Sequence, residues 1–170
     1  MLAVMCAPAG ATENRQAGIV VRVLFGVCEE IIVRNAELWN HPELGGLGFR
    51  RTPRALEERL RGTADQAPVI VRRGEGAEMI TVLHYPSLSA CAVMFGGSRR
   101  HDTLQAIRTH LAGLPGLAPD TSAPMPAGPL AIDSYRFRLG SELSHRLTIA
   151  HGPDTDRDPV TIATIYFSRD

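Results

Sequence analysis

The sequence predicts an α+β fold: a mostly antiparallel, twisted sheet of six or seven strands with two or three helices packed on one face. Three observations carry this expectation. A helix-like segment followed by three strand-like segments occurs twice along the chain, without a repeat at the level of residues. Short turns rather than long crossovers join the strand-like segments, which favours antiparallel pairing. The 170 residues, 44% hydrophobic and 21% charged, suffice for one ordinary globular core.

Residues 1–17 read as a flexible N-terminus. Their apolar part is short, lacks a basic start and is broken by Pro8, unlike a signal peptide. Residues 18–170 read as a single α+β domain. Its first element, 18–38, carries two patterns. Ile19, Val20, Val21, Val23, Leu24 and Phe25 suit a buried strand. Val20, Leu24, Val27, Ile31 and Leu38 also recur at helical spacing, with Arg22, Glu29, Arg34 and Glu37 on the other side. A strand to about Val27 followed by a helix from about Cys28 to Trp39 is expected, with one long helix as the alternative.

Beyond Gly45, Gly46 and Gly48, Thr52 can cap a helix that has Pro53 in its first turn, Leu56 and Leu60 stacked, and Gly62 at its end. Pro68–Arg73 and Glu78–His84 read as a hairpin around 74–77, with Val71 facing Ile80 and Val69 facing Val82. Ala90–Phe95 is a third strand. A helix capped by Asp102, with Gln105 reaching back, then buries Leu104, Ile107 and Leu111 and ends at Gly113. Residues 113–129 carry Pro115, Pro119, Pro124, Pro126 and Pro129 and read as a Pro-rich internal loop. Strands at about 130–139, 145–151 and 160–167 complete the chain.

Composition excludes several chemistries. Eighteen arginines balance eighteen acidic residues, and lysine is absent. A neutral chain gives no electrostatic reason to expect nucleic acid or a membrane surface as a partner. Without lysine there is no Schiff base, pyridoxal anchor, phosphate-loop lysine or biotinyl attachment site. Cys6, Cys28 and Cys91 form no Cys-x-x-Cys pair. They are expected to be packed, reduced thiols, with one disulfide as the alternative, and Cys91 reads as an inert core thiol. On that basis the chain is expected in the cytoplasm.

The most informative local feature is Tyr135-Arg136-Phe137-Arg138-Leu139. If Leu139 faces His145, then Tyr135, Phe137, Leu147 and Ile149 form one apolar face. Arg138 then stands opposite Arg146 and Arg136 opposite Thr148 on the other face. Like charges directly opposite are destabilising unless neutralised: by a bound carboxylate, phosphate or acidic segment, by the chain's own Glu142, Asp154 or Asp156, or by solvent on an exposed face. A second candidate is Gly96-Gly97-Ser98-Arg99-Arg100, a glycine-rich link into a helix of the kind that cradles phosphates. The order of elements over residues 18–113 resembles the acyl-coenzyme A-dependent N-acetyltransferase fold, in which this junction holds the pyrophosphate. The residues themselves call for no cofactor; the resemblance implies coenzyme A as the alternative. The family's glycine-bearing phosphate loop is not matched, since the stretch runs Arg100-His101-Asp102-Thr103-Leu104-Gln105.

Among the six histidines, no His-x-His or His-x-x-x-His pair starts a metal site, and none is expected. Asp154, Asp156 and Asp158 imitate a calcium loop but lack its glycine and closing glutamate. His41-Pro42-Glu43 beside Trp39 could form a small acid–base pocket, and His84 and His101 are the other candidate proton-transfer groups. The leading expectation is a non-catalytic binding protein (an inhibitor, immunity-type or accessory factor). It would use Arg136, Arg138 and Arg146, with Ser98, Arg99 and Arg100 as further binding candidates, for a protein partner or a small anion. A homodimer is a further candidate assembly. The alternative is a small metal-independent enzyme acting on a carboxylated or coenzyme A-linked molecule.

Overall fold

In the computed structural model, which describes residues 10–59, 66–121, 130–138, 144–152 and 160–168, the segment with two patterns is helical. The helix α1 (Gly10–Arg22) runs through a π-helical turn (Val23–Val27) into α2 (Cys28–Arg34). The Cys28 amide donates to the Val23 carbonyl, five residues back. This wider turn puts Val23, Leu24, Phe25 and Val27 all into the interior. The expected strand to Val27 is therefore corrected. β-Branched side chains pack equally well in a helix that is buried on a broad face, so tertiary burial overrides local propensity. Asn35, left-handed at φ 53°, ends α2. Residues 10–17, expected within the flexible N-terminus, form the start of α1, and residues 1–9 lie outside the described ones.

The α+β class holds, with eight strands in one antiparallel sheet: β1 (Arg50–Arg51), β2 (Val69–Arg73), β3 (Ile80–Tyr85), β4 (Ala90–Phe95), β5 (Ala118–Pro119), β6 (Ala131–Arg138), β7 (Ser144–His151) and β8 (Thr161–Ser168). Six of these are the expected strands. The excess is β1 and β5, two residues each at the two edges, too short to show any periodicity. Short edges, one of them bearing Pro119, offer little backbone to another chain. The order β1-β2-β3-β4-β8-β7-β6-β5 is a mirror. Each half contributes four strands, the first with a short helix (Arg54–Arg59) between β1 and β2, and the halves meet where β4 pairs with β8. The doubled element pattern of the sequence thus has a structural counterpart.

Four helical segments cover the described residues: α1–α2, α3 (Pro42–Gly46), α4 (Arg54–Arg59) and α5 (Arg100–Ala112). Two expected caps are corrected. Thr52 is buried, and its hydroxyl donates to the Ile70 carbonyl rather than capping α4. Asp102 lies inside the first turn of α5, whose N-cap is Arg99, three residues earlier than expected, with no side-chain cap hydrogen bond. Leu60 and Gly62 fall outside the described residues.

Both expected hairpin registers are off by two. Val71 faces Val82 and Val69 faces His84, while Phe137 faces His145 and Tyr135 faces Leu147. A two-residue slip preserves the faces because side chains alternate with period two. In the first hairpin the extra length is a 3₁₀ turn, Gly76–Glu78, entered through Gly74 at φ 80°.

The helices cover one face of the sheet. Val71, Val82, Val93, Ala163 and Ile149 line up across the strands there and pack with Leu24, Leu104, Ile107 and Leu111 in one core. Cys28 and Cys91, both fully buried, form a disulfide that ties α2 to β4, with their Cα atoms 5.5 Å apart. The reduced-thiol expectation is corrected for this pair. The helical form of residues 18–34 is what sets Cys28 over the middle of the sheet. Among the described residues no helix is long and apolar enough to cross a membrane.

Candidate functional site

The helix-free face of the sheet carries the arginines singled out by sequence. Arg136 stands directly opposite Arg146, and Arg138 opposite Ser144; this corrects the expected Arg138–Arg146 and Arg136–Thr148 pairs by the same two-residue slip. Between the two arginines lies Asp120. Its Oδ1 accepts from Arg136 Nε at 3.1 Å, and its Oδ2 forms an ion pair with Arg146 Nε. The Asp120 side chain is 0% exposed, against 41% for Arg136 and 25% for Arg146. β5 positions it: Ala118 and Pro119 pair with Arg136 and Tyr135, and the Asp120 amide donates to the Ser134 carbonyl at 2.8 Å.

Sequence reasoning offered a bound anion, solvent, or Glu142, Asp154 and Asp156 as the neutralising group, and these three acids lie outside the described residues. Asp120 was missed because it sits in the Pro-rich loop. The like-charge pair was the signal, and only the fold says which acid answers it.

Hydroxyls continue this face. Ser134 Oγ and Thr148 Oγ1 are 3.2 Å apart, and Thr148 also bonds the Tyr166 hydroxyl. Arg138 is exposed, its stem resting over Gly116 at φ 68°. A cavity of about 350 Å³ is lined by Pro115, Gly116, Arg136, Arg138 and Ser144. The structure therefore brings Arg136, Arg138 and Arg146 to one end of one face.

The glycine-rich junction is different. Ser98 donates through both its amide and its hydroxyl to Glu78 Oε1, each at 2.9 Å. Gly97 has φ 77°, and a Cβ there would collide with the same carboxylate. The chain's own acid thus occupies the loop that a phosphate would fill. Arg100 departs from the expected trio: it is 2% exposed, and its Nη1 donates to the Gly152 carbonyl at 3.3 Å. Arg99 stays at the loop. The acetyltransferase-like layout also loses its first strand, since residues 18–34 are helical.

The candidate histidines stand on separate elements. His41 is buried, with Nε2 3.3 Å from Glu30 Oε2. Glu43, the expected carboxylate partner, instead pairs with Arg22. Trp39 is 49% exposed, and the Arg51 guanidinium lies 5.6 Å from its ring centroid. His101 is exposed on α5. His84 points into the core opposite Cys91. None of these three histidines lines the cavity beside Arg136 and Arg138. No cluster of three metal-ligating side chains occurs among the described residues. Glu57, which nothing in the sequence flagged, is buried and accepts from the Ile70 amide at 3.1 Å and from Arg51.

Burial lowers the His84 pKa below its ordinary 6.5. The unfolded chain then binds more protons than the native one at acid pH, so stability holds above about pH 6.5 and declines as pH falls through that value. His84→Leu is expected to flatten this part of a urea-stability profile taken between pH 7.5 and 5. An unchanged slope would remove His84 as its cause.

Compared with family models, with curated proteins and with solved structures, the chain gives no match in any of the three comparisons.

Proposed function

We propose that the protein is a non-catalytic binding protein whose helix-free sheet face docks a carboxylate-rich segment of a partner protein. The supporting observation is the pairing of Arg136 and Arg146 on one buried carboxylate, Asp120, with Arg138 on the same face lining a cavity together with Arg136. The face thus presents three arginines, two of them paired with Asp120. Asp120 holds two of them in place, which lowers the ordering cost when a partner carboxylate arrives. Neighbouring hydroxyls of Ser134, Thr148 and Tyr166 suit the polar rim of such a contact. The disulfide removes the support for a reducing cytoplasm and favours an oxidising compartment instead.

A fluorescent octaglutamate peptide tests this by anisotropy. Saturable binding is expected, weakened by salt and weakened about tenfold by Arg138→Glu. Arg138 is the variant of choice because it makes no ion pair with a described residue, so its reversal spares the fold. No saturable binding, or an unaffected Arg138→Glu variant, overturns the proposal. A rise in melting temperature with coenzyme A alone would instead favour the small metal-independent enzyme.

A further inference from the structure

A second site, independent of the arginine face, lies where the β2–β3 hairpin, the start of α1 and the β4–α5 junction meet. A cavity of about 280 Å³ there is lined by Arg15, Gln16, Ile19, Arg73, Gly74, Glu78, Ile80 and Arg99. Three guanidinium-bearing residues from three different elements therefore share one small cavity with a single carboxylate. Arg99 Nη1 is buried without a hydrogen-bond partner among the described residues. A buried donor of this kind is costly to leave unmade, and an anion in the cavity would satisfy it. The one carboxylate, Glu78, is turned to Ser98, whose amide and hydroxyl both donate to it at 2.9 Å.

We infer that this cavity is a binding site for a small phosphate dianion, with Glu78 as an internal anion that the ligand competes against. The charge count selects the ligand class. Arg15, Arg73 and Arg99 supply three positive charges and Glu78 one negative, leaving an excess of two. A phosphate or phosphomonoester carries close to two negative charges at neutral pH and offers acceptor oxygens to guanidinium donors. The Gly96-Gly97-Ser98 backbone just ahead of α5 does not itself line the cavity; through Ser98 it holds Glu78 at the cavity's edge. Ser98 already donates to a negatively charged oxygen, that of Glu78. Glu78 is exposed and sits on a 3₁₀ turn, so it can swing out without disturbing the strands.

Isothermal titration with inorganic phosphate at pH 7.5, and with succinate as a carboxylate of equal charge, tests the inference. Saturable phosphate binding is expected in the wild type. Glu78→Gln should tighten it several-fold by removing the competing charge. The double variant Arg15→Ala/Arg73→Ala should weaken it at least about tenfold. Both sets of changes are at residues without other described ion pairs, and melting curves check that the fold is kept. Three results would each overturn the inference: no saturable phosphate binding in either wild type or Glu78→Gln, binding indifferent to the arginine pair, or succinate bound as tightly as phosphate.

Discussion

Replacing Cys28 and Cys91 together by alanine is expected to cost about 4 kcal/mol of stability. The disulfide closes a loop across a sequence separation of 63 residues, and chain-entropy arguments give about 4 kcal/mol for a loop of that size. For a chain of this length the loss translates into a melting temperature lower by roughly 8–16 °C. Both cysteines are fully buried between α2 and β4, so a reductant should reach the bond only after the protein opens. Mild thiol treatment of the native protein is expected to leave it intact, and the same treatment in denaturant to break it. Calorimetry of the double variant and thiol counting by mass spectrometry check this. Three free thiols in the native protein, or an unchanged melting temperature, would contradict it.

Asp120→Ala is the second large effect, with an expected loss of about 2–3 kcal/mol. Removing one partner of a buried ion pair is destabilising because the other charge loses its counter-charge, and here one carboxylate serves two arginines. Arg136 and Arg146 are directly paired across β6 and β7, and like charges in that position repel. Their partial exposure keeps the loss below that of a fully buried pair. Asp120→Asn, which keeps an acceptor, should cost less. A double variant with Arg146→Thr should cost less than the sum of its parts, because it also removes the repulsion. Urea titration showing a loss below about 0.5 kcal/mol, the scale of an ordinary surface substitution, would sink this account.

The six long strands, α5 and the apolar faces were legible because alternation and helical spacing are local patterns. Residues 18–34 were not, because valine and isoleucine suit a buried strand and a buried helix alike. The π turn that puts four of its five residues inside has no sequence signature. Hairpin registers slipped by two because alternation specifies a face but not a partner, and the 3₁₀ turn at Gly76–Glu78 absorbs residues that a tight loop would have left in the strands.

At the candidate sites the same division holds. That Arg136 and Arg146 share a face follows from alternation alone. That Asp120 answers them depends on β5, a two-residue strand inside a proline-rich stretch. The glycine-rich loop before α5 was legible as a cradle for an anion. That Glu78 already sits in it follows from a hairpin tip about twenty residues earlier, folded against it.

The order of residues by itself determined the α+β class, the doubled helix-and-strands plan, the arginine-only cationic surface and the faces on which its members stand. These depend on period, composition and turn chemistry, which act between neighbours. Packing of distant segments alone decided the helical state of residues 18–34, the Cys28–Cys91 bond, the burial of Arg100 and the acids that meet each arginine cluster. Those outcomes are set by which surfaces exclude water together, and no local pattern encodes that.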